Sequence, residues 1–129
     1  MLTEAEIDAL EGRALDAAVA EYVLGEPMPP LGVHDPGHVM SAVTSGKAWV
    51  CVLDYYQGDE CNWRPRLFST DWGAAGLVID AMRQRVDDWS VNAECNASFL
   101  LKDWHHACAV TPQLAICRAA LKAIVSQAK

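Results

Sequence analysis

The chain has 129 residues, 52% of them apolar and 21% charged, a length and balance that fit one folded domain with its own core and argue against disorder. Its net charge of −7 repels phosphate backbones and forgoes the counterion release behind most nucleic-acid affinity, so general nucleic-acid binding is not expected. No apolar run approaches the roughly 18 residues of a membrane span and the N-terminus lacks the basic start of a signal peptide, so a cytoplasmic protein without a membrane partner is expected.

The first helix starts at a capping-box pair, Thr3 and Glu6, with Leu2 placed to staple onto Ile7. Ile7, Leu10, Ala14, Leu15, Ala18 and Tyr22 recur at helical spacing, and Gly25 supplies the stop. Glu26 to Gly37 holds four of the six prolines and reads as a loop or extended linker within the domain. His38 to Thr44 fits either a short helix or a strand. From Lys47 to Tyr56 the chain turns β-like, with Trp49, Val50, Val52, Tyr55 and Tyr56 apolar in both alternation phases. Gln57 to Arg66 is a polar turn region interrupted by Trp63 and Pro65.

A second helix starts at Ser69 or Thr70, either of which can cap the first amides, with Asp71 well placed against the helix dipole. Trp72, Ala75, Ile79, Met82 and Val86 form its apolar stripe; Gly73 and Gly76 weaken it and point to a closely packed neighbour. Trp89 to Cys95 alternates as a half-buried strand, and a return strand runs from Phe99 to about Val110. Thr111 then caps a last helix with Pro112 in its first position, burying Ile116, Ala119, Ala120, Ala123 and Ile124. The order α, β, α, β, β, α suits an α+β fold: a small, mostly antiparallel sheet with helices on both faces.

Three segments spread along the chain carry a family resemblance. They are Arg13 to Ala20 closed by Gly25, Phe68-Ser69-Thr70-Asp71-Trp72-Gly73-Ala74-Ala75, and Thr111 to Leu121 with its Ile116-Cys117-Arg118-Ala119-Ala120-Leu121 run. In this order they resemble the small phage and prophage proteins of the phage ABA-sandwich family. The resemblance implies a single domain over residues 1–129, a three-layer α-β-α sandwich, and a viral origin; it brings no agreed activity. The β-like Lys47–Tyr56 piece departs from the family's usual run.

Few groupings in the chain suggest chemistry. The five cysteines, Cys51, Cys61, Cys95, Cys108 and Cys117, show no two-residue spacing of a zinc knuckle or redox pair and read as small hydrophobes. Pro36 and Gly37 keep His34 and His38 off a common helix face, so a surface turn is favoured over a metal site. His105 and His106 lie in a strand and point to opposite faces. Paired carboxylates at Asp59-Glu60 and Asp87-Asp88 read as solvated charge. No metal, cofactor or catalytic residue is assigned.

The sharper candidate is a ligand site of Trp63, Arg64 and Arg66 just before Ser69 and Thr70, joined by Trp104 and His106 from the hairpin. Guanidinium forks and a helix N-terminus suit an anion, and a tryptophan face suits a base. The leading expectation is a non-catalytic phage accessory protein that captures a small anionic, nucleotide-like signal of host defence. The alternatives are a module binding a host or phage protein, and a metal-dependent hydrolase using His34, His38 or His105. Homo-oligomerisation is left open.

Overall fold

The computed structural model describes residues 2–28, 43–45, 47–51, 56–57, 60–61 and 63–127. The first helix is not continuous. Helix α1 (Glu4–Ala9) begins with the full capping box: the Glu6 amide donates to Thr3 Oγ1 at 3.2 Å, and the Thr3 amide donates to Glu6 Oε1 at 3.1 Å. At Leu10 the backbone turns extended, and Gly12 takes a φ of +55°, a left-handed setting that costs glycine little. Helix α2 (Gly12–Ala18) follows and widens into a π-helical turn at Val19–Val23, in which the Leu24 amide reaches the Val19 carbonyl. Gly25, at φ +71°, ends it as the sequence predicts. The carbonyl left at the α1 break is held from the far end of the chain, where the Arg118 guanidinium donates to Leu10 O at 2.9 Å.

Short strands follow. β1 (Val43–Ser45), β2 (Trp49–Cys51) and β5 (Arg64–Pro65) form one antiparallel sheet in the order β1-β2-β5, and β3 (Tyr56–Gln57) pairs with β4 (Glu60–Cys61). The β reading of the Lys47–Tyr56 stretch holds at Trp49–Cys51 and Tyr56; residues 52–55 lie outside the described set, as does the turn carrying His34 and His38. Helix α3 (Trp72–Arg83) is capped by Asp71, whose carboxylate accepts from the Ala74 amide at 2.8 Å, and not by Ser69 or Thr70. A carboxylate both fills the cap and meets the positive helix end, which a hydroxyl cannot do. Among the described residues no other element packs closely on the two glycines of α3, contrary to the packing expected of them. A Cβ at Gly76 would meet nothing within 4 Å among the described residues, and one at Gly73 would meet the Asp71 carboxylate, its own helix cap, at 3.1 Å.

The second half is a three-stranded meander of β6 (Asp88–Val91), β7 (Asn96–Leu101) and β8 (Asp103–Cys108), antiparallel throughout. The stretch Phe99 to Val110 is thus two strands and not one, because Lys102, at φ +67°, reverses the chain between them. The expected Trp89–Cys95 strand ends at Val91, and Cys95 at φ +60° completes the next turn. Register places Ala97 between Val91 and Ala107, and Phe99 between Trp89 and His105. The buried members of that row, Ala97, Phe99 and Ala107, meet α4 (Pro112–Gln127), which packs along β7 and β8. Helix α4 also meets α1, α2 and α3, so its near-continuous burial from Ala115 to Ala123 follows from its central position.

The fold is therefore α+β, with helices beside small antiparallel sheets. The helix seated on the meander lies on one face. On the opposite row, Ser98 and Leu100 are half-buried while Trp104, His106 and Cys108 are exposed. No described helix is long and apolar enough to cross a membrane.

Candidate functional site

The candidate residues before α3 are placed by a short strand and a tight turn. Arg64 pairs with Val50 and Pro65 with Trp49 across the β2–β5 ladder. The chain then bends: the Arg66 amide donates to Ala48 O at 2.8 Å, and the Asp71 amide closes back on Leu67 O at 2.8 Å. Proline in this edge strand gives up a donor that the ladder does not require. Arg66 Nε additionally donates to the Lys47 carbonyl, which fixes the side chain beside the β2 hairpin.

Two cavities flank this segment. The larger, about 610 Å³, is a groove between β5 and the start of α3; its floor is Val50, Leu67, Ala74 and Leu77, and Arg64, Arg66 and Asp71 stand among its walls. Gly73 also lines it, and the missing side chain keeps the groove wide at the first turn of α3. The smaller, about 130 Å³, lies on the α2 side, with Arg13, Asp16, Arg64, Ser69 and Thr70 around it. Arg64, Pro65 and Leu67 line both, so the two cavities share one wall.

Asp16 is the unexpected member. The residue is 2% exposed, and its Oδ1 accepts the buried Ser69 amide at 2.8 Å. Burial pushes its carboxyl above the ordinary carboxylate value, while the neighbouring Ser69 hydroxyl and amide pull the other way. The Ser69 hydroxyl is itself buried beside that carboxylate. Arg13 is held at the same cavity by donating to the Trp63 carbonyl at 2.9 Å.

The structure separates the residues that the sequence grouped. Arg64 lines both cavities, Arg66 the groove, and Ser69 and Thr70 the smaller cavity. Trp63 is 6% exposed and belongs to the hydrophobic core, so its ring offers no open face for a base to stack on. Trp104 and His106 sit on the open row of the meander and line neither cavity; His106 Nδ1 is 3.0 Å from Ser98 Oγ. His105 points the other way, to Leu101 O at 3.2 Å and Ser126 Oγ of α4 at 3.3 Å, as strand alternation requires. An anion at the start of α3 would also meet the Asp71 carboxylate already seated there. Any anion at this site is therefore held by guanidinium groups rather than by the helix end.

Sequence reasoning passed over Asp16, yet a signal was present. It precedes the buried Val19, Ala20 and Val23 by three, four and seven residues, the spacing of one helix face. A carboxylate on such a face needs a partner inside the fold.

Among the described residues no group of three or more His, Cys, Asp or Glu is placed to hold a metal ion. Cys117 is buried, Cys95 half-buried and Cys108 exposed. Comparison of the chain with protein-family models, curated proteins and solved structures finds no match.

Proposed function

We propose that the protein is a non-catalytic binder of a small anionic, nucleotide-like ligand, held in the groove between β5 and α3. One observation carries this reading: Arg64 and Arg66 stand beside an apolar floor of Val50, Leu67, Ala74 and Leu77 in a cavity of about 610 Å³. That volume falls in the range of small-molecule sites, and a mostly apolar lining with a few convergent charges is their usual make-up. Guanidinium forks read phosphate in two-pronged fashion, and the floor offers an aromatic ring the apolar contact that buried Trp63 does not. The resemblance of the three segments to phage ABA-sandwich proteins supports placing this binding in a phage accessory role, the capture of a nucleotide signal of host defence in the host cytoplasm.

The test is calorimetric titration with a panel of mononucleotides and cyclic nucleotides. Binding should raise the melting temperature by the mass-action relation RT ln(1 + [L]/Kd). Arg64→Ala should weaken it by about 1.5–3 kcal/mol, the scale of a charge-assisted hydrogen bond. Failure of every nucleotide to bind would reject the reading.

A second reading, a module that binds a host or phage protein, rests on the open row of the meander. Trp104 is 52% exposed there beside His106 and Cys108, and exposed aromatics of this kind are enriched at protein interfaces. Trp104→Ala would leave nucleotide binding intact and abolish capture of that partner.

A further inference from the structure

We propose that the groove between β5 and α3 selects guanine: the Asp71 carboxylate accepts the two adjacent N–H groups on the Watson–Crick edge of the base, while Arg64 and Arg66 hold the phosphate. The inference rests on the anion-binding reading of this groove and names the base that it takes.

A carboxylate is out of place in a cavity that takes only an anion. Asp71 is exposed and stands among the walls of the groove with Arg64 and Arg66. Among the described residues it makes no ion pair. Its charge repels a phosphate, so the phosphate lies at the guanidinium groups and Asp71 meets a part of the ligand that donates hydrogen bonds. Oδ2 accepts the Ala74 amide at 2.8 Å, which holds the side chain as the cap of α3. An ionised carboxylate offers about four acceptor sites, so Oδ1 and a second lone pair on Oδ2 are left for a ligand. Gly73 keeps Oδ2 approachable, since a Cβ there would stand 3.1 Å from it and the residue lines the same groove. A glycine in the first turn of α3 gives up helix propensity, and access to the carboxylate is what the position gains.

The pattern of donors and acceptors narrows the base. Guanine places two donors side by side, N1–H and the 2-amino group, and a pair of donors matches a group that can only accept. Adenine and cytosine place an amino donor beside a bare ring nitrogen, whose lone pair would face a carboxylate oxygen. Uracil flanks its one N–H with two carbonyls. These three bases set acceptor against acceptor at Asp71, and a mismatch of that kind is what discriminates between ligands. The apolar floor takes the face of the purine, and a groove of about 610 Å³ has room for a whole mononucleotide.

Matched titrations of GMP, IMP and AMP test the assignment. The wild type should bind GMP roughly tenfold or more tightly than AMP, the scale of one two-pronged base contact. IMP, which keeps N1–H but lacks the 2-amino group, should fall between them. Asp71→Asn retains the helix cap, because asparagine caps about as well as aspartate, but turns one acceptor into a donor. It should bring the GMP-to-AMP ratio close to one and improve the binding of XMP, whose C2 carbonyl accepts from the new amide. Gly73→Ala, which adds helix propensity, should shrink the ratio several-fold by crowding Oδ2, and keeps the test alive should Asp71→Asn fold poorly. Arg66→Ala should weaken GMP and AMP alike and leave the ratio standing. Two results overturn the guanine assignment and leave the anion groove intact: AMP bound by the wild type as tightly as GMP or more so, or a GMP preference that Asp71→Asn leaves unchanged. Absence of binding by every nucleotide overturns both.

Discussion

The Ser69 amide donates to Asp16 Oδ1 at 2.8 Å across 53 residues of chain, so a buried carboxylate in α2 fixes the turn from which α3 begins. This bond joins the first segment of the resemblance to the second and forms one side of the smaller cavity. Asp16→Ala leaves the Ser69 amide buried with no acceptor, and should cost about 1–3 kcal/mol of stability. Urea unfolding at neutral pH measures the loss. Asp16→Asn retains an acceptor and should cost less; equal losses would show that the bond contributes little.

The same carboxylate sets a pH dependence. Burial raises the Asp16 carboxyl in the folded chain above its ordinary value of 3.8. The folded state then holds its proton where the unfolded state has lost it, and stability falls as pH rises through that interval. The Asp16 contribution is complete below pH 3.8 and is lost as pH climbs past the folded value. The difference in unfolding free energy between wild type and Asp16→Asn isolates this term from the other carboxylates. That difference should move against the wild type as pH increases from the ordinary value. Movement in the opposite direction would mean that the Ser69 bonds outweigh burial.

Local rules made some of this legible and tertiary contacts hid the rest. The Thr3–Glu6 box, the Gly25 stop and the Thr111-Pro112 start are sequence-local devices, and each is found where expected. The break at Leu10–Gly12 was hidden because Leu10, Ala14 and Leu15 keep helical spacing across it; what permits it is Gly12 at positive φ and Arg118 on the Leu10 carbonyl. Lys102 concealed the β7–β8 turn in the same way, since a lysine at φ +67° carries no turn signature. Of the residues grouped by proximity in sequence, Arg64 and Arg66 line the groove, while the surroundings of Trp63 are set by the core. Lys122 reads as exposed, yet its ammonium lies 2.8 Å from Asp8 and donates to His106 O.

Gly76 supplies a test of helix propensity without packing. It lies within α3, its φ is not in the left-handed region, and a Cβ there meets nothing within 4 Å among the described residues. Gly76→Ala should therefore stabilise the protein by about 0.4–1 kcal/mol. A loss of stability in chemical denaturation would reveal a neighbour that closes on α3 in solution.

The cysteines should react in the order of their exposure. Cys117 is buried in α4, and its thiol is pushed far above its ordinary value, first by burial and then by Asp16, with Arg118 opposing. Thiolate is the reactive form, so Cys117 should resist iodoacetamide until the chain unfolds, while exposed Cys108 is modified early. Peptide mass mapping over a labelling time course reads both. Early native labelling of Cys117 would place α4 outside the core.

Trp63 has become a core residue, and that changes what its removal does. Its ring joins the cluster that contains Phe68 and Leu15, while its carbonyl receives Arg13. Trp63→Ala should cost about 3–5 kcal/mol through lost burial and the cavity left behind, a large share of a small domain's stability. Trp63→Phe retains most of the apolar volume and should be tolerated far better. If the larger variant still folds, nucleotide affinity should follow the integrity of β5 rather than a lost stacking face. Thermal unfolding and titration of both variants separate these effects. A fully stable Trp63→Ala protein with weakened nucleotide binding would return the ring to the surface, and with it the stacking role that its burial denies.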